Sequence, residues 1–356
     1  MDIAMKPISV KKESQYVFNH CAKYLARDNS DIRHNFGQFT DNDPAARICE
    51  SWRFPIIDSY SDGIDFETSY AFNTVTFIYP DFDRSVENVA VIGSFANLYE
   101  PMSLTRVENS CYFALSLLIP KGQVHTYQFL VDGVLKLDPI NPQTVTLDNG
   151  KTWSRFFTEF CTVPLSFERW EMVLLDRLTD HILPFHTESG ENFLDRYYEN
   201  LDRAAKNAQF AHAYRLDQSV GVVNFIDKLL ARSERHFLDD YHTCLDLTNS
   251  ILRGRSVAEI AAMPKAMFVD IYAEMASGSV NGWDYTRYSN PRFFLQLLRR
   301  HTFTGAFAHP KYGGNSAASA WAFLEERYKS KVTGETLFDW GRVIEKPLGF
   351  APNYHG

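Results

Sequence analysis

His309-Pro310-Lys311-Tyr312-Gly313-Gly314-Asn315, read with the run from Gln296 to Gly305 before it and Trp321 after it, decides how the second half of the chain folds. Pro310 fixes one φ angle while Gly313 and Gly314 admit positive φ, so the backbone turns sharply between two apolar, helix-like segments. A Gly-Gly turn taken alone is an ordinary connector between helices. Its neighbours on both sides make this one a built loop.

Working outward, helical periodicity fills the chain on either side of the turn. It runs from Phe193 to about Gln209, Val220 to Leu230, Arg235 to Leu252, Val257 to Met263, Pro264 to about Ala276, Asn290 to Phe303 and Ala317 to Tyr328. The first helix of the series opens at Leu165-Ser166-Phe167-Glu168-Arg169-Trp170. There Ser166 reads as the N-cap and Arg169 takes the N3 place of a capping-box Glu. Phe167, Trp170, Val173, Leu174, Leu178 and Ile182 line one face until Pro184 stops it. These stripes predict an all-α domain over residues 161–330. The tail, 331–356, mixes Gly334, Pro347, Gly349 and Pro352 with Phe338, Trp340, Phe350 and Tyr354, aromatics that can anchor a partner or tuck back onto their own domain.

Upstream of Phe160 the period changes to two. Val75-Thr76-Phe77-Ile78-Tyr79, Val89-Ala90-Val91-Ile92, Tyr112 to Leu117 and Tyr127 to Val131 are β-prone runs. Pro80-Asp81, Glu108-Asn109, Pro120-Lys121-Gly122 and Asp132-Gly133 punctuate them. With no helical pattern between them, they predict an antiparallel β-sandwich over 67–160. Residues 1–66 read as an amphipathic helix, 13–28, followed by an irregular arm rich in Asp, Asn, Ser, Gly and Pro, anchored by Trp52, Phe54, Ile56 and Ile57. The fold class is therefore α+β and multidomain, a β-sandwich followed by a helical domain.

Composition bounds the function classes. The 356 residues are 45% hydrophobic, 15% aromatic and 22% charged, a globular balance. The net charge of −8 argues against nucleic acid or an anionic membrane surface as the main partner. Cys21, Cys49, Cys111, Cys161 and Cys244 are odd in number and show no Cys-x-x-Cys spacing, so neither a zinc ribbon nor a disulfide framework is indicated. No run approaches the roughly 18 apolar residues of a membrane span, and Met1 to Lys12 lacks a leader's apolar core. The expected location is cytoplasmic, or periplasmic if a partner or a removed leader carries the chain.

Two resemblances follow from these motifs. Val91-Ile92-Gly93-Ser94-Phe95-Ala96-Asn97, then Pro120-Lys121-Gly122, Tyr127 to Gly133 and Asp138-Pro139, resemble the immunoglobulin-like early-set sandwich of carbohydrate-binding module family 48. In that family tryptophans stack on glucose rings; here Leu98 and Leu135 stand at those places, Gln128 replaces the family's lysine, and the family's asparagine has no match around Thr152 to Arg155. Tyr99 and Trp153 are the nearby aromatics. With the stacking platform missing, the expected role of the sandwich is docking or structure, with weak glycan binding as the alternative.

The order Leu165 to Trp170, Leu178 to Pro184, Gly221 to Asp227, His301 to Phe307, and His309 to Asn315 followed by Trp321, is similar to gluconate 2-dehydrogenase subunit 3. Ala320 stands where that family usually has a glycine. The resemblance implies a cofactor-free accessory subunit that binds, stabilises or matures a flavin-dependent sugar or sugar-acid dehydrogenase of the glucose-methanol-choline type. The flavin (FAD) is then expected in the partner. The residues expected to carry partner contact are Tyr312, Gly313, Gly314, Asn315 and Trp321, a rigid turn beside a large aromatic.

The rival reading is catalytic. Asp180, His181 and His186 lie near one helix end, and His301 and His309 flank the turn, but no pair has the His-x-x-x-His spacing of a helical metal site. No metal site is expected from them. Among Asp176, Asp180, Asp195, Asp202, Asp227, Asp239 and Asp240, only Asp227 sits inside an apolar run, where a salt bridge is expected rather than glycosidase chemistry. No dinucleotide fingerprint, phosphate-binding loop or nucleophile elbow occurs.

Overall fold

The computed structural model describes residues 7–24, 53–58, 68, 71–159, 161–184, 187–199, 220–309, 312–315 and 318–336. The chain divides into two compact units, one running to Cys161 and the other beginning at Thr162. The first is built of antiparallel sheets and the second of helices.

The β unit contains β1 (Ile8–Val10), α1 (Ser14–Tyr24), β2 (Ile56–Asp58), β3 (Phe72–Pro80), β4 (Val89–Gly93), β5 (Met102–Ser103), β6 (Thr105–Arg106), β7 (Tyr112–Pro120), β8 (Val124–Val131), β9 (Val134–Lys136), β10 (Thr144–Thr146) and β11 (Thr152–Phe157). One sheet orders β1-β7-β3-β2, with β6 on β7; the other orders β10-β11-β8-β4-β5, with β9 on β8. β3 and β7 pair along their whole length, from Phe72 opposite Pro120 to Pro80 opposite Tyr112. Alternation places Val75, Phe77 and Tyr79 of β3 against Tyr127 and Phe129 of β8 and Phe156 of β11 in a core common to both sheets. Asp132 and Gly133, both at positive φ, make the two-residue β8–β9 hairpin. The Asp132 carboxylate accepts the N–H groups of Glu87 and Asn88 and so ties the hairpin to the entry of β4.

α1 belongs to this unit. Tyr16, Val17 and Cys21 pack with Phe54, Ile56 and Tyr112, and the Tyr16 hydroxyl donates to Asp58. Phe54 and Ile56 are thus anchors as expected, with Ile57 partly buried in β2; Trp52 and most of the arm lie outside the described residues.

The helical unit contains α2 (Arg169–Ile182), α3 (Glu188–Glu199), α4 (Val222–Ala231), α5 (Leu238–Arg255), α6 (Lys265–Ser277), α7 (Pro291–Phe307) and α8 (Ser319–Arg327). Leu174, Leu178, Ile226, Leu230, Tyr241, Leu245, Phe268, Ile271, Phe294 and Leu298 meet in one core. Two expectations change. Residues 257–263 hold only a short 3₁₀ turn, Ile260–Ala262, because Ser256 is extended and Pro264 already caps α6. Ser166 is not the cap of α2. Its N–H and hydroxyl are both taken by Asp227, and the helix starts later, with Glu168 as N-cap and Glu171 at N3 closing the capping box. The expected helix beyond residue 199 and the aromatics Phe338, Trp340, Phe350 and Tyr354 lie outside the described residues. Among the described residues, no helix is long and apolar enough to cross a membrane.

Candidate functional site

α4 is the axle of the helical unit. Nine of its ten residues are buried, polar ones included. Its polar residues Asn224, Asp227 and Lys228 fall at i, i+3 and i+4 and therefore on one face. Each serves a segment distant in sequence. Asn224 Nδ2 donates to the Gly313 carbonyl at 2.6 Å. The Asp227 carboxylate accepts the N–H groups of Leu165, Ser166 and Phe167 at 2.7–3.2 Å. Lys228 Nζ bridges Asp227 at 2.8 Å and the Val163 carbonyl at 2.5 Å. Asp227 and Lys228 are both buried, so their charges are balanced by each other and by backbone dipoles rather than by water. The expected salt bridge of Asp227 is present, and it clasps the segment 163–167.

The Gly-Gly turn is seated against the same helix. Gly313 has φ +96°, and a side chain there would approach Lys228 Cγ and Asn224 Nδ2 within 3.1 Å. A Cβ on Gly314 would overlap the Gly305 carbonyl oxygen, and one on Gly305 would stand 2.8 Å from the Phe225 ring. Three glycines on two segments thus let α7, the turn and Phe225 come together. Asn315, at φ +46°, joins the ends of two helices: its Nδ2 donates to Ala308 O at 3.0 Å and its Oδ1 accepts the Ala320 N–H at 3.0 Å. Trp321 Nε1 donates to Phe307 O at 2.8 Å and so occupies a carbonyl left open at the C-terminus of α7.

Of the five residues expected to carry partner contact, Gly313, Gly314, Asn315 and Trp321 are buried and Tyr312 is half-buried. Their shown bonds run within the helical unit. Pro310 and Lys311 lie outside the described residues.

The histidines do not gather. His181 packs edge-on to Tyr272 at 4.5 Å while Asp180 faces Lys265 at 3.9 Å. Burial, then the Lys265 charge, lowers the His181 pKa. His186 lies outside the described residues. His309 sits beside Trp321 and Tyr312, at 6.0 and 6.5 Å between ring centres. His301 is buried elsewhere, stacked on Tyr241 at 5.7 Å, with Nδ1 2.8 Å from the Tyr241 hydroxyl and Nε2 2.8 Å from Glu234. Each ring nitrogen thus has a polar partner within hydrogen-bond distance. Burial pushes the Glu234 carboxyl up, but the His301 hydrogen bond and the charges of His301, Arg300 and His236 hold it below its ordinary value. Among the described residues no three His, Cys, Asp or Glu side chains converge as a metal set.

What this arrangement does chemically is hold three segments rigid around one helix. Sequence reasoning gave no role to Asn224, Phe225, Tyr241 or Glu234. For Asn224 the polar spacing on an otherwise apolar helix was the available signal.

No curated protein matches the chain. Solved structures similar to it include the enterochelin esterase of Shigella flexneri, 15% identical, with a TM-score of 0.24 over 27% of this chain and 32% of that one. Another is the ferric enterobactin esterase of Salmonella typhimurium, 15% identical, with a TM-score of 0.26 over 32% of this chain and 37% of that one. The chain thus spans about a third of the length of those structures, and neither likeness carries an argument. Residues 170–325, which hold α4, the Asp227 clasp, Gly305, the Gly313-Gly314 turn and Trp321, are similar to the family described as gluconate 2-dehydrogenase subunit 3.

Proposed function

We propose that this chain is a non-catalytic accessory subunit that binds and stabilises, or helps mature, the catalytic subunit of a sugar or sugar-acid dehydrogenase. The observation that carries the reading is the family match across 170–325, which takes in every residue of the α4–turn assembly apart from the clasped segment 163–167. A site made of backbone clasps and close glycine contacts suits a scaffold. The partner is a flavin-dependent protein of the glucose-methanol-choline type and carries the FAD; its compartment sets that of this chain. Tyr312 to Asn315 and Trp321 shape the contact surface from beneath, with Tyr312 reaching it.

Purification of the tagged chain from its native host, with mass identification of what accompanies it and an absorbance scan, tests this. A co-purifying flavoprotein dehydrogenase is expected. A colourless protein without a dehydrogenase partner would overturn the reading.

One observation favours a second reading, glycan binding by the β unit. Leu98 and Tyr99 both adopt left-handed φ, and Leu98 is 96% exposed beside a Tyr99–Trp153 ring pair at 5.6 Å. Retardation in glucan-containing gels that Tyr99→Ala and Trp153→Ala abolish would support it; unchanged mobility of the wild-type chain would remove it.

A further inference from the structure

α7 has two unlike faces. Phe294, Leu295, Leu298, His301 and Thr302 point into the core, and Gly305 lies against Phe225. The opposite face carries Arg292, Phe293, Arg299, Arg300 and Phe303, all exposed, with 42% of each phenylalanine in solvent. Phe237 extends this face: its ring lies 6.4 Å from Phe293, and the Arg300 guanidinium sits over it at 5.6 Å.

The arginines of this face are mostly left without a carboxylate. Elsewhere in the unit Arg169, Arg235 and Arg327 stand exposed singly on other segments, while some arginines close on a carboxylate, Arg253 on Glu259 at 3.1 Å, Arg255 on Glu274 at 2.8 Å and Arg287 on Asp246 at 2.8 Å. On α7 only Arg300 does so, with Glu234. Arg292 donates its Nε to the Ala276 carbonyl and meets no carboxylate, and Arg299 makes no hydrogen bond or ion pair among the described residues. The seventeen residues of α7 include no Asp or Glu, in a chain whose net charge is −8. Arginine and aromatic side chains together are what buried interface centres favour, because both offer large contact area and arginine pairs with carboxylates in a fixed geometry.

We propose that the outer face of α7, with Phe237, is the docking surface for the catalytic dehydrogenase subunit, taking a partner patch in which carboxylates surround an apolar centre. The proposal rests on the accessory-subunit reading above. The chain's overall negative charge disfavours an extended polyanion at the same face and leaves a protein's local carboxylates as the complementary group.

The test uses the full tagged chain produced in its native host, with recovered dehydrogenase catalytic subunit identified and quantified by mass spectrometry. Arg292→Glu with Arg299→Glu, and separately Phe293→Ser with Phe303→Ser, are each expected to lower the recovered dehydrogenase by about tenfold or more. Arg253→Glu, on another helix, is expected to leave it near wild type. Raised salt should weaken the wild-type complex more than the arginine double variant. Equal recovery by wild type and both double variants would overturn the docking surface while the subunit reading stands. If wild type recovers no dehydrogenase, the subunit reading fails and the docking proposal falls with it. A photo-crosslinking side chain at Gln296, in the middle of the face, leaves all six side chains in place and guards against misfolded variants. An adduct with the dehydrogenase is expected, and its absence counts against the proposal.

Discussion

An alanine methyl at position 314 has no room, since it would overlap the Gly305 carbonyl oxygen and lie 2.9 Å from Phe225 Cβ. Both obstacles are backbone or near-backbone atoms and cannot rotate away. Gly314→Ala is therefore expected to destabilise the helical unit by about 2–4 kcal/mol. Gly254, in α5, meets nothing within 4 Å, and Gly254→Ala is expected to be neutral or stabilising by up to about 1 kcal/mol. Denaturant titration of the full chain distinguishes the two; equal midpoints would show that the close approach does not constrain the fold. Asp227 and Lys228 invite a double-mutant cycle. Lys228→Met leaves a buried carboxylate whose remaining partners are backbone N–H groups and is expected to cost about 3–5 kcal/mol. Adding Asp227→Asn removes the stranded charge and keeps an acceptor for residues 165–167, so the double variant is expected to be more stable than Lys228→Met alone. A double variant that is the sum of two losses would mean that the pair does not act as a unit.

At the scale of elements, Asn315 and Trp321 hold the end of α7 to the start of α8 through Ala308, Ala320 and Phe307. Asn315→Ala removes two of these bonds and puts at φ +46° a residue without asparagine's tolerance of the left-handed region. Faster amide exchange over residues 312–327 with little change in α4 is the expected outcome. Uniform exchange through both segments would instead point to global destabilisation. The strands β3, β4, β7 and β8 were legible because each is long enough to show period two and is bounded by turn residues such as Asp132-Gly133. β1 and β2, three residues each, were not, since they become strands only by pairing with β7 and β3, more than a hundred and about twenty residues away respectively. The glycines of the turn could be read as a bend, but their reason is Phe225 and Gly305, and no local pattern announces a contact across eighty-odd residues. The Asp227 salt bridge was legible from a charge inside an apolar run; its grip on Leu165 to Phe167 was not.

At the scale of a whole folding unit, two buried groups in the β unit answer acid in opposite directions. Burial holds the His125 imidazole down to about 4 from its ordinary 6.5, so between those values the unfolded chain takes a proton that the folded unit refuses. Stability from this group is present above pH 6.5 and falls as pH drops toward 4, by about 3 kcal/mol at the limit. Burial pushes the Asp138 carboxyl up to about 6 from 3.8, against the opposing hydrogen bonds of Tyr127, Ile140 and Asn141. Here the folded unit takes the proton first, and stability rises as pH drops from 6 toward 4, by a similar amount. The two nearly cancel, so the wild-type unit is expected to change little in stability between pH 6 and 4 from this source. His125→Phe keeps a ring against Phe156, 5.1 Å away, and leaves Asp138 alone. That variant should gain stability on acidification. Asp138→Asn leaves His125 alone and should lose it. Denaturation of the full chain at both ends of the window, followed by amide exchange in β8 and β11, reads the slopes, and two variants that keep the wild-type slope would remove both groups from the acid response of the fold.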